Sequence, residues 1–324
     1  MLFSACVEPL NDRVLMFSLT MSAADIAVRV FLKLEPEDFR TLQAIELAMT
    51  KHEYAPVNLI PKLANLNPEE TEFRLNRLEK QGLIQHWTGP YSGYTLNMAG
   101  YDSLAINALV KADILEAFGK PLGIGKEADV YDALTPDREQ VAVKFHRLGR
   151  ISFRQTKRKR GYIAERLHTS WLYQSRLAAQ KEYEALKLLE SHGIAAPKPV
   201  SQNRHVIVMS LIEGAELFHY PELPDPQAIM NEILENVRKA YQEAGIIHAD
   251  LSEYNIILQP NQHILIIDWP QYVRADHPNA EQLLQRDVKN VSKFFQRKFG
   301  LKTKLKDAVP YVKTAATTFL SKAQ

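Results

Sequence analysis

The sequence predicts an α+β protein with two domains, from its length and from one change in the spacing of its apolar residues. A chain of 324 residues fits about two domains. Up to about residue 110, apolar residues recur mainly at helical spacing, whereas from about residue 111 short apolar strands alternate with long amphipathic helices. We therefore expect one domain over residues 22–110 and a second, mixed domain over residues 111–324.

Composition excludes several classes of protein. The hydrophobic fraction of 46% and the charged fraction of 24% are those of a soluble globular protein. The formal net charge is only +2, so a basic surface for nucleic acid must come from local clustering. A single cysteine, Cys6, excludes a disulfide framework and a cysteine-ligated zinc site, and it fits a reducing compartment. No apolar run reaches the roughly 18–20 residues of a spanning helix, so we expect no membrane partner and a cytoplasmic location.

Residues 1–21 do not have the pattern of a signal peptide. Charged residues interrupt the apolar positions, and no small-residue cleavage site follows the apolar patch at residues 14–19. Met16 and Met21 could each begin the same protein, so an artefact of start-codon choice is the alternative explanation of this segment. We expect residues 1–21 to be a disordered leader.

The first domain has the element order of a winged helix-turn-helix. Asn67-Pro68-Glu69 is typical of the start of a helix. The Asn side chain can cap the first turn, and the N–H group that Pro lacks would have no partner in the first turn anyway. The acidic residue is favoured at the positive end of the helix. Two earlier helical patterns precede it, and a hairpin with turn residues at Gly89 and Gly93 follows. Three helices followed by a hairpin predict a winged helix-turn-helix domain.

The third helix of this domain predicts two alternative surfaces. In a nucleic-acid reader, Arg74, Arg77 and Lys80 would point outward. Because Glu72 and Glu79 dilute that charge, a helical adaptor with a solvated charged face is the alternative.

A glycine-containing segment opens the second domain. Gly123 and Gly125, separated by one residue, allow backbone N–H groups to approach phosphates closely, with Lys126 and Glu127 in the same turn. Val130 would then cover a nucleotide base. A plain hairpin turn explains the same residues, so the segment alone is a weak signal.

An apolar strand that ends in Lys144 follows the glycine segment. In protein kinases a lysine at this place pairs the α- and β-phosphates of the nucleotide and needs a carboxylate partner on the next helix. Glu182 and Glu184 are both candidates. We favour Glu182, because Tyr183 and Leu186 would then pack inward on the same helix.

The most specific motif lies at residues 247–255. Asp250 stands two residues after His248, and Asn255 stands five residues beyond Asp250. This is the spacing of a kinase catalytic loop, in which the Asp orients the nucleophile and the Asn binds a metal. After a further apolar strand, Asp268 supplies a second carboxylate for Mg²⁺, which favours one or two carboxylates plus phosphate oxygens. We expect His248 to be buried and to orient the loop.

These motifs together predict a truncated, two-lobed, protein-kinase-like domain. The N-lobe would cover about residues 111–209 and the C-lobe about 214–324, with a hinge at Met209, Leu211 and Glu213 that meets the adenine. Pro270 would restrict the flip of the metal-site segment that gates many kinases. No Ala-Pro-Glu motif follows, so the lobe that docks a peptide substrate is expected to be missing.

Four segments carry a family resemblance, namely residues 124–131, 147–153, 248–255 and 267–271. Together they resemble the RIO-type atypical protein kinases and, within them, the Rio kinase two branch, which carries an N-terminal winged helix. The resemblance covers residues 22 to about 300. The sequence departs from the usual family pattern at Ala128, where a serine hydroxyl touches a phosphate, and at Ala249, where glycine is usual.

The resemblance implies that the chain binds ATP and Mg²⁺, with Mn²⁺ as an alternative ion. It implies serine/threonine autophosphorylation and a role in maturation of the small ribosomal subunit, with pre-ribosomal RNA and proteins as partners. It also implies that Asp268 is a phospho-acceptor, which would make the chain an ATPase-type switch as much as a kinase.

A basic segment at about residues 147–170 predicts a flexible loop that contacts ribosomal RNA. Phosphate contacts would make that affinity salt-dependent. A solvated, disordered insert is the alternative. Beyond Arg147, the positive charges, set against the single acid Glu165, are Arg150, Arg154, Lys157, Arg158, Lys159, Arg160 and Arg166.

Two further functions remain as alternatives. Aminoglycoside-type small-molecule phosphotransferases share the His-x-Asp-x-x-x-x-Asn loop and a later Ile-Asp-Trp, but a small substrate requires neither a winged helix nor a basic insert. A non-catalytic RNA-binding assembly factor is weakened by the presence of all four kinase positions, namely Lys144, Asp250, Asn255 and Asp268.

Overall fold

The structure is a computed structural model, and it describes residues 21–148, 164–301 and 305–314. It has an N-terminal helical domain followed by a mixed domain with an N-terminal and a C-terminal lobe. Within these ranges, no helix combines the length and the apolar composition that a membrane crossing requires. Residues 1–20 of the predicted leader, and residues 149–163, which are most of the predicted basic loop, lie outside the described residues.

The first domain confirms the predicted winged helix-turn-helix. Helix α4 is capped at Asn67, whose side chain accepts a hydrogen bond from the N–H of Glu70 at 2.7 Å, and an antiparallel sheet in the order β1-β3-β2 forms the wing. The elements are α1 (Ala23–Phe31), α2 (Pro36–Ala48), β1 (Ala55–Pro56), α3 (Ile60–Ala64), α4 (Pro68–Lys80), β2 (Ile84–Thr88), β3 (Ser92–Leu96) and α5 (Met98–Lys111).

Arg74 of α4 does not point outward and Arg77 is only partly exposed, so the prediction that both would point outward is wrong. The Arg74 side chain is only 8% exposed and donates to Glu35 at 2.7 Å and to Glu70 at 2.6 Å. Arg77 also donates to Glu35, at 2.5 Å. The cause is the acidic start of α2, which packs against α4: it holds the Arg74 guanidinium in a buried position and pairs the partly exposed Arg77 guanidinium with Glu35.

The exposed face of α4 is acidic as a result. Lys80 is exposed as predicted, but it is the one basic residue on that face. Phosphate groups are not attracted to such a surface. The exposed residues of α4 are Pro68, Glu69, Glu72, Phe73, Asn76, Glu79 and Lys80.

The N-terminal lobe of the second domain is a five-stranded antiparallel sheet with a long helix. The strand order is β4-β5-β6-β8-β7. Helix α6 packs on the sheet through Ala185, Leu186 and Leu189, which are at most 1% exposed. The elements are β4 (Ala117–Ile124), β5 (Ala128–Leu134), β6 (Gln140–His146), α6 (Ala164–Ser191), β7 (Pro199–Asn203) and β8 (Val206–Ser210).

The C-terminal lobe is mainly helical, with two small antiparallel sheets ordered β12-β11-β9 and β10-β13. Trp269, 1% exposed, and Phe295, fully buried, belong to its core. The elements are β9 (Ala215–Glu216), a 3-10 turn (Leu217–His219), α7 (Pro226–Gln242), β10 (Ile246–Ile247), β11 (Ile256–Leu258), β12 (Ile264–Ile266), β13 (Val273–Arg274), α8 (Ala280–Phe299) and α9 (Leu305–Lys313).

The side chains of β6 point alternately to the two faces of the N-terminal sheet. Val143 and Phe145 pack in one apolar cluster with Ala27 of α1 and Ile106 of α5. Lys144, between them, points to the opposite face, because successive strand residues alternate sides. The winged-helix domain therefore covers one face of the sheet, and the other face carries helix α6 and lines the cleft with the C-terminal lobe.

Candidate functional site

A cavity of about 980 Å³ lies between the two lobes of the second domain. Its volume falls within the range of small-molecule and cofactor sites. It is lined by ten of the residues that the sequence predicted for the site: Gly125, Lys126, Glu127, Val130, Lys144, Glu182, Met209, Leu211, Asn255 and Asp268.

Three predicted residues are not part of the cavity wall. Gly123 lies on β4 outside it, and Glu213 is exposed beyond the hinge. Glu216, three residues further along, lines the cavity in place of Glu213. Asp250 is exposed on its loop, beside the cavity.

Lys144 stands at the centre of a charged cluster. Its ammonium nitrogen donates to both carboxylate oxygens of Glu182, at 2.7 and 2.8 Å, and to Oδ1 of Asp268 at 2.7 Å. The structure therefore pairs Lys144 with Glu182, the favoured candidate. Glu184 instead accepts a hydrogen bond from Gln180.

The protonation states of this cluster follow from burial and charge together. Burial alone lowers the pKa of Lys144, but the carboxylates of Glu182 and Asp268 more than offset it and raise the pKa above its usual value. Burial raises the pKa of Glu182, yet Lys144 and His146 lower it on balance to about 2. Near neutral pH the cluster therefore holds one ammonium group and ionised Glu182.

His146 is a further member of the cluster that was not predicted from the sequence. Its Nε2 lies 2.9 Å from Oε2 of Glu182, and its side chain is 3% exposed. The position is two residues after Lys144 on the same strand, so alternation along β6 could have indicated it.

Asn255 and Asp268 form the oxygen-donor pair of the cavity. Backbone pairing brings them together, since the N–H of Ile267 donates to the carbonyl of Asn255 at 2.9 Å. The Asn255 amide nitrogen donates to the carbonyl of Asp250 at 2.9 Å, which leaves the side-chain oxygen as a ligand. Asp268 has a φ of +68°, a left-handed conformation typical of strained functional positions.

This donor set suits a hard cation that takes part of its shell from phosphates. In the described part of the chain, no three histidine, cysteine, aspartate or glutamate side chains converge as a complete metal site. One carboxylate and one amide oxygen are instead the incomplete set that Mg²⁺ uses when phosphate oxygens and waters supply the rest.

The loop that carries Asp250 is held by a buried histidine. His248 Nε2 donates to the carbonyl of Ile267 at 2.9 Å, and the N–H of Asp250 donates to His248 Nδ1 at 3.3 Å. Burial lowers the pKa of His248, which favours the neutral ring that these two bonds require. His248 thus occupies the loop-orienting position predicted from the sequence.

Asp287 is a second support of the loop, and it was not predicted from the sequence. Its carboxylate accepts the N–H groups of Ala249 at 2.7 Å and Leu251 at 3.2 Å. Arg286 donates to the carbonyl of Ala249. These bonds hold Ala249 at a φ of +65°, a conformation that favours glycine. No local motif marks Asp287, because it lies 37 residues beyond Asp250 on α8.

The glycine segment forms a tight turn at the mouth of the cavity. The N–H of Gly125 donates to the carbonyl of Ala128 at 2.8 Å. A Cβ atom on Gly125 would lie 3.1 Å from that same carbonyl oxygen, which is closer than ordinary contact. Ala128 itself lines the cavity, so a methyl group stands where the resemblance predicts a hydroxyl.

Comparisons with known proteins agree with this arrangement. The family model "RIO domain" matches residues 129–308, and "Rio2, N-terminal" matches residues 31–112. The chain is 44% identical over 254 residues to the RIO-type serine/threonine-protein kinase Rio2 of Methanocaldococcus jannaschii, covering 77% of this chain and 92% of that protein. It is 40% identical over 267 residues to the serine/threonine-protein kinase rio2 of Dictyostelium discoideum, covering 82% of this chain and 51% of that protein.

The chain also resembles a solved structure. The crystal structure of the Rio2 kinase-ADP/Mg²⁺-phosphoaspartate complex from Chaetomium thermophilum superposes with a TM-score of 0.78 at 34% identity, covering 89% of this chain and 90% of that one. The chain spans about half the length of the Dictyostelium relative and of a Caenorhabditis elegans relative, Serine/threonine-protein kinase RIO2, that is 41% identical over 267 residues. Motifs, fold and matched regions agree, and the chain belongs to the RIO family of serine/threonine-protein kinases, within its Rio2 branch.

Proposed function

We propose that the chain is an ATP-dependent serine/threonine kinase and ATPase that phosphorylates itself. The observation that carries this proposal is the convergence of Glu182 and Asp268 on the ammonium group of Lys144, each within 2.8 Å of it, in a cavity that Asn255 also lines. Lysine, its glutamate partner and a metal-site aspartate are the parts that phosphoryl transfer by kinases requires.

Each residue of the cavity has a defined task in this proposal. Lys144 would bind the α- and β-phosphates, held in place by Glu182. Asp268 and the side-chain oxygen of Asn255 would hold Mg²⁺, or Mn²⁺, which prefer the same hard oxygen ligands. An ion held there would neutralise charge on the phosphate oxygens. The hinge backbone at Met209 and Leu211 would face the adenine.

Asp250 and Asp268 would act on the transferred group. The exposed carboxylate of Asp250 would orient an acceptor hydroxyl and accept its proton. For self-phosphorylation of Asp268, a carboxylate oxygen forms a bond to the γ-phosphorus, the bond from that phosphorus to the β,γ-bridging oxygen breaks, and ADP leaves. Water then hydrolyses the phosphoaspartate, which releases phosphate and restores the Asp268 carboxylate. The Chaetomium relative was solved as a phosphoaspartate complex, which supports this second route.

A labelling experiment tests the proposal. Wild-type protein with γ-³²P-ATP and Mg²⁺ is expected to release labelled phosphate and to retain label on the chain. Asp250→Ala is expected to reduce turnover by at least about a hundredfold, since general acid–base groups contribute about 10²–10⁴-fold, while ATP binding persists. An unchanged rate would remove Asp250 from the mechanism. Phosphorylation of a metabolite far faster than ATP hydrolysis would instead favour a small-molecule phosphotransferase.

For the cellular role, we propose maturation of the small ribosomal subunit in the cytoplasm. Support comes from the resemblance to the Rio kinase two branch and from the basic sequence at residues 147–166. The acidic exposed face of α4 gives no support to an RNA contact by that helix. Co-purification with a ribosomal particle, compared with hydrolysable and non-hydrolysable ATP, tests the role.

The basic segment has its own test. Neutralising the four charges from Lys157 to Arg160 is expected to weaken binding to pre-ribosomal RNA and to reduce its salt dependence. Unchanged binding at moderate salt would contradict an RNA contact there.

A further inference from the structure

We propose that Asp102, in the winged-helix domain, is a positioning residue for the glycine segment of the nucleotide site, and that it acts through Arg147. This inference rests on the proposed function, because it concerns how that site binds ATP. It assigns a role to a residue that contacts neither the cavity nor the loop of Asp250.

Arg147 and Asp102 form a fully buried ion pair between the two domains. Both side chains have no solvent exposure. Two parallel hydrogen bonds join them, at 2.6 Å to Oδ1 and 2.7 Å to Oδ2. This two-bond geometry fixes the orientation of the guanidinium group as well as its place.

Arg147 holds the glycine segment at two points. Its Nε donates to Oδ2 of Asp129 at 2.8 Å, and its backbone N–H donates to the carbonyl of Glu127 at 2.6 Å. Glu127 lines the cavity, and Asp129 immediately follows Ala128 of the same turn. The residue three positions before Arg147 is Lys144, so one short segment holds both the loop and the phosphate-binding lysine.

A histidine, His205, completes the network beside the ion pair. Burial lowers the pKa of His205, so its ring is neutral at pH 7. Nε2 lies 2.6 Å from Oδ1 of Asp102, and Tyr101 stacks on the ring at 4.6 Å between centroids. Burial raises the pKa of Asp102, but Arg147 and His205 lower it on balance, so this carboxylate is ionised.

The network serves geometry more than stability. Apolar side chains of similar volume often stabilise a buried site as well as an ion pair does, and the adjacent interface is already apolar. A buried pair does, however, admit only a narrow range of arrangements. The position of α5, which carries Asp102, is therefore coupled to the shape of the glycine segment, and ATP binding is coupled to the position of α5 in return.

A second ion pair between the same domains provides a matched control. Glu46 of α2 accepts two hydrogen bonds from Arg204, at 2.8 and 2.7 Å. Arg204 lies in the turn next to His205, but the contacts of this pair do not extend to the glycine segment. Asp102→Asn and Glu46→Gln thus each remove one charge from an arginine–carboxylate pair that joins the domains.

The test measures Mg-ATP affinity by calorimetry and stability by thermal unfolding for wild type, Asp102→Asn and Glu46→Gln. We expect Asp102→Asn to bind ATP about tenfold more weakly, with little change for Glu46→Gln. A lower melting temperature with unchanged ATP affinity would reduce Asp102 to a structural residue and overturn the inference. Failure of wild type to bind ATP would instead contradict the proposed function.

A second pair of variants decides the matter if Asp102→Asn does not fold. Arg147→Lys keeps the charge but loses the two-bond fork, and Arg204→Lys is its control. If Arg147→Lys binds ATP more weakly than Arg204→Lys does, the coupling is supported. If the two variants bind ATP with the same affinity, the coupling is overturned. In wild type, Mg-ATP is expected to slow amide exchange in α5 more than in α2, and the absence of that difference would also contradict the coupling.

Discussion

The ammonium nitrogen of Lys144 and Oδ1 of Asp268 lie 2.7 Å apart, and this contact joins the two lobes across the cavity. Lys144 belongs to β6 in the sheet of the N-terminal lobe, and Asp268 lies just after β12 in the C-terminal lobe. The groups proposed for phosphate and for the metal ion are therefore adjacent before either ligand binds. The nucleotide and its ion would enter between them.

Lys144 is expected to matter for stability as well as for ATP binding. Lys144→Ala leaves the carboxylate of Glu182 buried without its main partner, which costs about 3–5 kcal/mol. Adding Glu182→Leu removes that buried charge, so the double variant is expected to recover stability but not ATP affinity. Urea unfolding and calorimetric ATP titration separate the two effects. Recovery of ATP binding by the double variant would contradict the assignment of Lys144 to the phosphates.

Ala249→Gly is expected to stabilise the protein. Ala249 has a φ of +65°, which costs a side-chain residue about 1–2 kcal/mol and costs glycine little. After the greater freedom of glycine in the unfolded chain is subtracted, a gain of about 0.5–1 kcal/mol remains. Ala108→Gly, within α5, is the control and is expected to lose about 1 kcal/mol. Destabilisation by both substitutions would show that position 249 is not strained.

Asp287 predicts a pH dependence of stability. Burial raises its pKa from 3.8 to about 6, although the N–H groups of Ala249 and Leu251 oppose the shift. The folded state thus binds this proton more tightly than the unfolded state does. The contribution of Asp287 is present in full below about pH 4 and is lost as the pH rises through about 6, by about 3 kcal/mol in total.

The difference in unfolding free energy between wild type and Asp287→Asn isolates this effect, because the other titrating groups are shared. We expect wild type to lose stability relative to the variant between pH 4 and pH 7. A difference that stays constant over this range would show that Asp287 has an ordinary pKa.

Local sequence patterns predicted the parts of the site that depend on neighbours along the chain. Asn255 follows Asp250 by five residues, and that spacing alone places both on one loop. The cap at Asn67 depends on a residue three positions away. Asp268 follows an apolar strand, as the pattern predicted, whereas the strand of Lys144 continues to His146 instead of ending at Lys144.

Contacts between distant segments could not be predicted in the same way. Arg74 was expected on the surface, but Glu35, 39 residues earlier, lies within 2.7 Å of it. Asp102 and Arg147 are 45 residues apart and belong to different domains. Such pairs form because whole helices and strands pack against one another. The spacing of residues along one helix or strand carries no information about that packing.

The hinge shows a limit of a different kind. The sequence placed the hinge from Met209, next to Ser210 where β8 ends, but it assigned Glu213 to the cavity, whereas Glu216 lines the cavity. The direction of a side chain after a strand depends on how the connection turns. Here β9 pairs with β11, with Glu216 opposite Ile257, and this pairing places Glu216 at the cavity.

The decisive measurement for the proposed site is the Mg²⁺ dependence of ATP affinity, compared between wild type and Asp268→Asn. Lys144, Asn255 and Asp268 are proposed to hold one nucleotide and its ion, so wild type is expected to bind ATP much more tightly with Mg²⁺ than with a chelator. Asp268→Asn is expected to bind ATP equally with and without Mg²⁺. If the variant kept the full Mg²⁺ dependence of wild type, the metal would lie elsewhere and the proposed site would be wrong.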